Sequence, residues 1–109
     1  PVASATDWRQ IVRLYDQLLA LAPGPVVALN RAVAVAEVDG PAAALALVDA
    51  LDGRDLKGYY LFHAIRADLL RRLDRADQAA AAYDTAMALA ENVCEREFLR
   101  RSYEAMSRT

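Results

Sequence analysis

The sequence holds one histidine and one cysteine, too few for the usual chemistry of an active or metal site. A single cysteine cannot form an internal disulfide and fits a reducing compartment. A nucleophile needs a base within hydrogen-bond reach, and a protein metal site needs three or four ligands. His63 and Cys94 lie on different predicted helices. We therefore predict no enzyme activity, no cofactor and no metal, with Cys94 packed and His63 packed or capping.

The chain also lacks a basic excess and long apolar runs. It has 13 Lys and Arg against 15 Asp and Glu, a formal net charge of −2. A reader of duplex DNA needs a local excess of Lys and Arg, so this class is disfavoured. No apolar run approaches the roughly 20 residues of a membrane span, and no signal peptide is seen. The sequence predicts a cytoplasmic protein without a membrane partner. Because the chain starts at Pro1 and not at Met, we interpret it as a fragment of a longer polypeptide.

Glycine and proline are scarce, with four of each, and they fall between helical patterns. Alanine is abundant, which favours closely packed helices, and no period-2 run or Asn-Gly turn predicts a strand. The fold class is therefore all-α, with a disordered lead-in over 1–6 and a single domain over 7–109. Apolar spacing predicts six helices, at about 8–22, 26–38, 42–51, 59–73, 75–90 and 93–106.

Helix boundaries have recognisable signals. Asp7 with Gln10, and Asn92 with Glu95, match the spacing of a capping residue and its reciprocal partner. Asp74 is predicted to cap the fifth helix. The polar connection 52–58 is the longest, so we predict a mobile loop there.

The stretch 26–41 is almost entirely alanine and valine, yet it carries Asn30 and Arg31 at its centre. It predicts a helix buried on most sides. An unpaired buried charge is costly, so Arg31 needs a partner. Two interpretations stay open. The Arg31 guanidinium makes a bidentate contact with a carboxylate of a bound partner. Alternatively, it pairs with a nearby acidic residue such as Glu37 and holds neighbouring helices together.

The helices repeat at intervals of 33 to 35 residues. A trio with spacing x3 and x2 recurs in the first, third and fifth helices, as Ile11-Tyr15-Leu18, Ala44-Val48-Leu51 and Ala79-Tyr83-Ala86. Ala32 and Ala67 also correspond. These positions resemble the tetratricopeptide repeat, which has 34 residues and small residues at set positions. The match is degenerate, because Asp74 replaces the turn glycine that Gly40 provides.

The repeat predicts a right-handed stack of antiparallel helical hairpins whose first helices line a concave groove. Such grooves bind peptide segments or helices. Arg31 and Arg66 occupy equivalent positions, and Arg101 continues the series. The predicted partner-binding residues are Asn30, Arg31, Arg66 and Asp68. The alternative is that each arginine pairs with an acidic neighbour, as Arg66 would with Asp68.

Three stretches go beyond the repeat: TDWRQIVRLYDQLL (6–19), PVVALNRAVAVAEVDGP (25–41) and HAIRADLLRRLDR (63–75). Together they resemble the C-terminal extension of a group of bacterial extracytoplasmic-function (ECF) sigma factors. There a tetratricopeptide-like domain follows the two domains that bind RNA polymerase and promoter. The resemblance covers residues 7–106, and ALNRAVAVAEVDGP is its most specific part.

The resemblance implies a regulatory domain of a transcription initiation factor. Its partner would be the sigma factor's own N-terminal domains, RNA polymerase or a dedicated regulator. DNA would be bound only through the missing N-terminal domains. Inhibition or activation, and the oligomeric state, stay open. The alternative is a general tetratricopeptide-like scaffold unrelated to transcription.

Overall fold

The computed structural model describes residues 7–51 and 56–107, and this part of the chain contains helices and no strand. The predicted lead-in over 1–6 and most of the predicted mobile loop, 52–55, lie outside it. The all-α class, built from hairpins of neighbouring helices, is confirmed. The described ranges contain six helices whose bounds are given: α1 Trp8–Leu21, α2 Pro25–Asp39, α3 Pro41–Ala50, α4 Tyr60–Arg72, α5 Ala76–Leu89 and α6 Val93–Ser107.

The chain divides into two compact units, residues 1–51 and 52–109. In the first unit α1 packs on α2, and α2 packs on α3. Burial is concentrated on α2, at Leu29, Ala32, Ala34, Val35 and Ala36. Four of its exposed residues follow helical spacing along one stripe, namely Val26, Asn30, Val33 and Glu37, and Asp39 at its end is exposed as well. The prediction of a central helix buried on most sides is therefore confirmed.

Short turns hold the first unit together. Gly24 precedes α2, and Pro25 fills its first position, where the missing N–H of proline costs nothing. Gly40 ends α2 by donating its N–H to the Ala36 carbonyl at 3.1 Å, and Pro41 then begins α3. Gly40 has φ +93°, a left-handed conformation that glycine adopts at little cost.

In the second unit α4 packs on α5, and α5 packs on α6. The trio Ala79, Tyr83 and Ala86 is buried, with at most 2% exposure. Ala67 is fully buried, as is its repeat equivalent Ala32 in the first unit. Ala32 and Ala67 are therefore packing positions, because small side chains let helix backbones approach closely.

Leu56, at the end of the connection that precedes α4, is 1% exposed. The Tyr59 N–H donates to its carbonyl oxygen at 3.0 Å. This end of the predicted loop is therefore anchored in the core. The mostly polar composition of 52–58 did not indicate that Leu56 would be buried and would anchor this end of the connection.

The predicted cap at Asp74 is wrong. Arg75 is the residue before α5, and Asp74 instead ends α4 with φ +59°. The Asp74 N–H donates to the Arg71 carbonyl at 3.0 Å, and the Arg75 N–H donates to the Leu70 carbonyl at 2.9 Å. This pair of bonds is the Schellman motif, whose left-handed residue is usually glycine. The role of Asp74 is therefore set by its backbone conformation in the turn, and not by a capping hydrogen bond from its side chain.

The other two caps are confirmed. The Asp7 carboxylate accepts the Gln10 N–H at 3.2 Å and begins α1. At α6 the Asn92 side chain accepts the Glu95 N–H at 2.9 Å. The Glu95 carboxylate reaches back and accepts the Glu91 N–H at 2.9 Å, one residue earlier than a standard capping box.

Candidate functional site

Arg31 projects from α2 toward α1 and pairs with Asp16. Its Nε donates to Asp16 Oδ1 at 2.6 Å, with 26% of the Arg31 side chain and 52% of the Asp16 side chain exposed. Arg31 therefore has an acidic partner on a neighbouring helix, as the second interpretation expected, and that partner is Asp16. Asn30, its neighbour in sequence, lies on the exposed stripe of α2. A half-exposed pair of this kind is worth at most about 1 kcal/mol, so Arg31 stays available to an additional carboxylate.

Arg31 also lines a concave surface of about 420 Å³ within the first unit, which we call the α1–α3 pocket. Its lining combines five apolar side chains with three arginines and one aspartate. The residues that line it are Arg9, Val12, Arg13, Arg31, Val35, Val38, Asp39, Ala43 and Leu47. Arginines beside apolar side chains suit a peptide segment that carries both carboxylates and apolar side chains.

Asp68 belongs to a larger concave surface of about 700 Å³ within the second unit, the α4–α6 pocket. Asp68 Oδ1 accepts a hydrogen bond from Arg71 at 2.6 Å, and Arg72 lies 3.9 Å from its other oxygen. Besides Asp68 and Arg71 of α4, the lining comes from the turn, α5 and α6, through Asp74, Ala76, Tyr83, Ser102, Ala105 and Met106. The carboxylate is therefore engaged by arginines of its own helix.

Tyr83 forms the deep wall of the α4–α6 pocket. Its ring meets Tyr103 of α6 edge to face at 6.3 Å between centroids. Burial raises the pKa of Tyr83 above its usual value, and Asp68 adds to this, while the Arg71 guanidinium against its hydroxyl acts in the opposite direction. The hydrogen bond to Asp68 raises the pKa of Arg71. At neutral pH this wall is therefore a neutral phenol beside a fixed cation.

Arg66 and Asp68 do not share a site. Arg66 lines a separate hollow of about 220 Å³, together with His63, Gln78, Ala81, Ala82 and Thr85. Arg101, the third member of the predicted arginine series, is 75% exposed, and its Nε lies 3.5 Å from Glu97 on the same helix. Within the second unit, the predicted site residues are thus distributed over two surfaces.

His63 is half-buried, and its Nε2 donates to the Lys57 carbonyl oxygen at 2.9 Å. It caps the turn before α4 and meets the Phe62 ring edge to face at 5.1 Å, which agrees with the predicted packed or capping role. Cys94 was predicted to be packed, and that is wrong, because it is exposed. It lies in the first turn of α6 on a side that no described helix covers.

Two features are absent from the residues that the structure describes. No group of three or more His, Cys, Asp or Glu is placed to hold a metal ion. None of the six described helices is long and apolar enough to cross a bilayer.

Sequence reasoning missed Arg9, Arg13 and Asp16 as members of the Arg31 site. Arg9 and Arg13 are four residues apart, which places them on one side of α1. That spacing was a usable signal. The Arg31–Asp16 pair joins two helices and is separated by 15 residues in the sequence, so no local pattern predicts it.

Comparison with known proteins found a relative of this chain. No protein-family model matches it, and no solved structure does. An uncharacterized protein of Rhizobium meliloti (strain 1021) is 50% identical over 95 residues, which is 87% of this chain and 22% of that protein. The chain thus spans about a fifth of the length of the curated relative it matches.

Proposed function

We propose that this chain is a regulatory, protein-binding domain of an ECF sigma factor, acting in the cytoplasm and without catalysis of its own. It would modulate transcription initiation through the sigma factor's own N-terminal domains, RNA polymerase or a regulator. The resemblance of residues 7–106 to such extensions supports the cellular role. The helical hairpins support the binding role, because stacked hairpins of this kind present concave surfaces.

The observation that carries the proposal is the composition of the α1–α3 pocket. The stretch 28–41 is the most specific part of the resemblance, and it supplies four of the pocket's lining residues, Arg31, Val35, Val38 and Asp39. The stretch that makes this sequence look like a sigma-factor extension thus supplies four of the nine residues that line the pocket. We place the partner contact there, with Arg31, Arg9 and Arg13 facing its carboxylates.

The test is transcription in vitro by RNA polymerase with the full-length sigma factor. Arg31→Ala is expected to reduce transcript yield about tenfold, the change that corresponds to losing about 1.4 kcal/mol of binding. The domain stays folded, because the Asp16 pair is half-exposed and contributes little.

Asp16→Asn is the matched control, since it breaks the same ion pair and leaves the arginine in place. If Arg31 serves only to pin α1 to α2, both variants will reduce transcription alike. If Arg31 contacts the partner, only Arg31→Ala will. Normal transcription by Arg31→Ala removes this residue from the proposal. Finding no polymerase-binding segment in the polypeptide that carries this chain favours the general scaffold instead.

A further inference from the structure

The α4–α6 pocket has a charge that the fold does not neutralise. Among the described residues that line it, Asp68 and Asp74 are acidic and Arg71 is basic. Arg71 donates a hydrogen bond to Asp68 at 2.6 Å and lies against the Tyr83 hydroxyl. Asp68 and Arg71 therefore balance each other, and the Asp74 carboxylate is left over.

The Asp74 carboxylate takes no part in holding its turn together. The backbone does this, because the Asp74 N–H donates to the Arg71 carbonyl at 3.0 Å. No described residue forms a hydrogen bond or an ion pair with the Asp74 side chain. The carboxylate is thus an acceptor that a bound molecule can use.

The first unit provides an internal comparison for Asp74. Gly40 lies one repeat earlier, and both residues have a positive φ, +93° for Gly40 and +59° for Asp74. Glycine adopts this conformation at little cost, whereas a residue with a side chain does so at some expense of stability. An unfavourable backbone conformation at a residue whose side chain supports no structural contact indicates a functional role. The carboxylate is a feature of the second unit and not of the repeat.

At least three side chains in the pocket offer oxygen acceptors. The first is the Asp74 carboxylate. The Ser102 hydroxyl donates to the Phe98 carbonyl at 3.1 Å, so its lone pairs are left to accept. The second carboxylate oxygen of Asp68 is 3.9 Å from Arg72, beyond hydrogen-bond distance. A primary ammonium group has three N–H donors and no acceptor, so it can use all of these oxygens.

Apolar side chains complete the lining. Ala76 at the start of α5, with Ala105 and Met106 near the end of α6, contributes carbon surface. Metal ions such as Ca²⁺ take oxygen ligands on all sides, whereas an ammonium on a short alkyl stem uses both kinds of surface. The volume of about 700 Å³ falls within the range of small-molecule sites, which is roughly 300–1,000 Å³. The lining therefore favours an organic cation.

We propose that the α4–α6 pocket binds a primary alkylammonium group. Asp74 pairs with the charge, Asp68 and Ser102 accept its remaining hydrogens, and the alanines and Met106 pack against the stem. Such a group occurs in free amines and in lysine side chains, which are protonated at neutral pH because their pKa is about 10.4. This inference goes beyond the proposed role in transcription and does not rest on it.

The experiment is an NMR titration of the 109-residue chain with n-butylammonium chloride at constant ionic strength. Saturable shifts are expected for the amides of residues 71–76 and 102–106, which surround the pocket. The Kd should be about 1 mM, since the charged groups are partly exposed to solvent. Sodium butyrate and 1-butanol, which keep the stem and change the head group, should bind at least about tenfold more weakly.

Two substitutions of Asp74 test its role. Asp74→Asn removes the charge and keeps a side chain that tolerates the left-handed conformation. It should raise the Kd for butylammonium at least about tenfold, because a charge-assisted hydrogen bond is lost. Asp74→Gly should do the same while it relieves the backbone, so that the loss of binding cannot result from unfolding.

Asp84→Asn is the matched control. Asp84 is an exposed aspartate of α5 that is not among the residues lining the pocket, and its substitution changes the net charge equally. The Kd for butylammonium should stay within about twofold, because distant exposed charges are screened by salt.

Two further probes separate the possible sources of the ammonium group. Nα-acetyl-lysinamide carries it on a blocked backbone, as a lysine of a protein does, and 1,4-diaminobutane represents free amines. If the lysine derivative binds more tightly than butylammonium, the pocket takes a lysine side chain; if diaminobutane does, it takes a free amine, and either result supports the proposal. The absence of saturable shifts with butylammonium, equally tight binding of butyrate, or an unchanged Kd in Asp74→Asn would overturn it.

Discussion

At the scale of single residues, backbone conformation outweighs side-chain chemistry at Asp74. The sequence pattern of an aspartate before an alanine-rich helix predicts a cap, and two local hydrogen bonds instead place it at the end of α4 in a left-handed conformation. Left-handed backbone costs a residue with a side chain roughly 1–2 kcal/mol, and aspartate somewhat less because it tolerates that region. Gly40 occupies the corresponding turn of the first unit.

Asp74→Gly is therefore expected to stabilise the protein. Relief of the left-handed conformation is partly offset by the extra freedom of glycine in the unfolded chain, leaving a net gain of about 0.5 kcal/mol. Urea unfolding gives this as a higher midpoint at unchanged slope.

Asp74→Ala is the control, because alanine has neither the freedom of glycine nor the polar tolerance of aspartate. It should lower the free energy of unfolding. If alanine and glycine shift the midpoint in the same direction, the conformational explanation fails, and the pairing of Asp74 with its surroundings must account for the result.

At the scale of helices, Tyr83 connects the three helices of the second unit. The residue belongs to α5, contacts Arg71 of α4 through its hydroxyl and Tyr103 of α6 through its ring. The repeat identified it as the aromatic member of a small–aromatic–small trio, and the structure confirms the burial. The repeat pattern did not indicate the contact with Arg71, because such a pattern reflects the size of a side chain and not its hydrogen bonds.

The raised pKa of Tyr83 predicts a specific alkaline instability. As pH rises above about 10, the unfolded chain loses the phenol proton while the folded protein retains it, so the unfolded state binds fewer protons and the free energy of unfolding falls. The loss ends once pH passes the folded pKa. Its slope is at most about 1.4 kcal/mol per pH unit for each such tyrosine.

Tyr83→Phe should make this decline shallower, as measured by urea unfolding at a series of alkaline pH values. Burial also raises the pKa of Tyr60, with a hydrogen bond to Glu95 as the next cause. Tyr60→Phe should therefore remove a second share, and the double variant should remove both. An unchanged slope in Tyr83→Phe would show that this phenol ionises equally easily in the folded and unfolded protein.

At the scale of the whole molecule, the sequence predicted what depends on local spacing. Helix bounds and the buried alanines follow from periods and turn residues that lie close together in the chain. The Arg31–Asp16 pair and the exposure of Cys94 do not, because each depends on which helix covers which side. A repeat pattern states that a face is packed, but it does not state whether the packing helix is present. The binding role of Asn30, Arg31, Arg66 and Asp68 stays a prediction.

Uneven coverage of the helices predicts uneven stability within the first unit. Helix α2 packs on α1 and α3 and holds five buried residues, whereas α1, among the described helices, packs closely on α2 and holds none. In repeat proteins each element is stabilised by its nearest neighbours, so a helix with one neighbour opens before a helix with two. In the 109-residue chain, amides of α1 should exchange at least about tenfold faster than those of α2.

Leu29→Ala, which removes a side chain that is 1% exposed in α2, should speed exchange in both helices, because α1 depends on α2. Leu21→Ala, at an open position of α1, should speed neither. Equal exchange rates in the two unmodified helices would mean that the unit opens only as a whole, and that the exposed side of α1 has no effect on its stability.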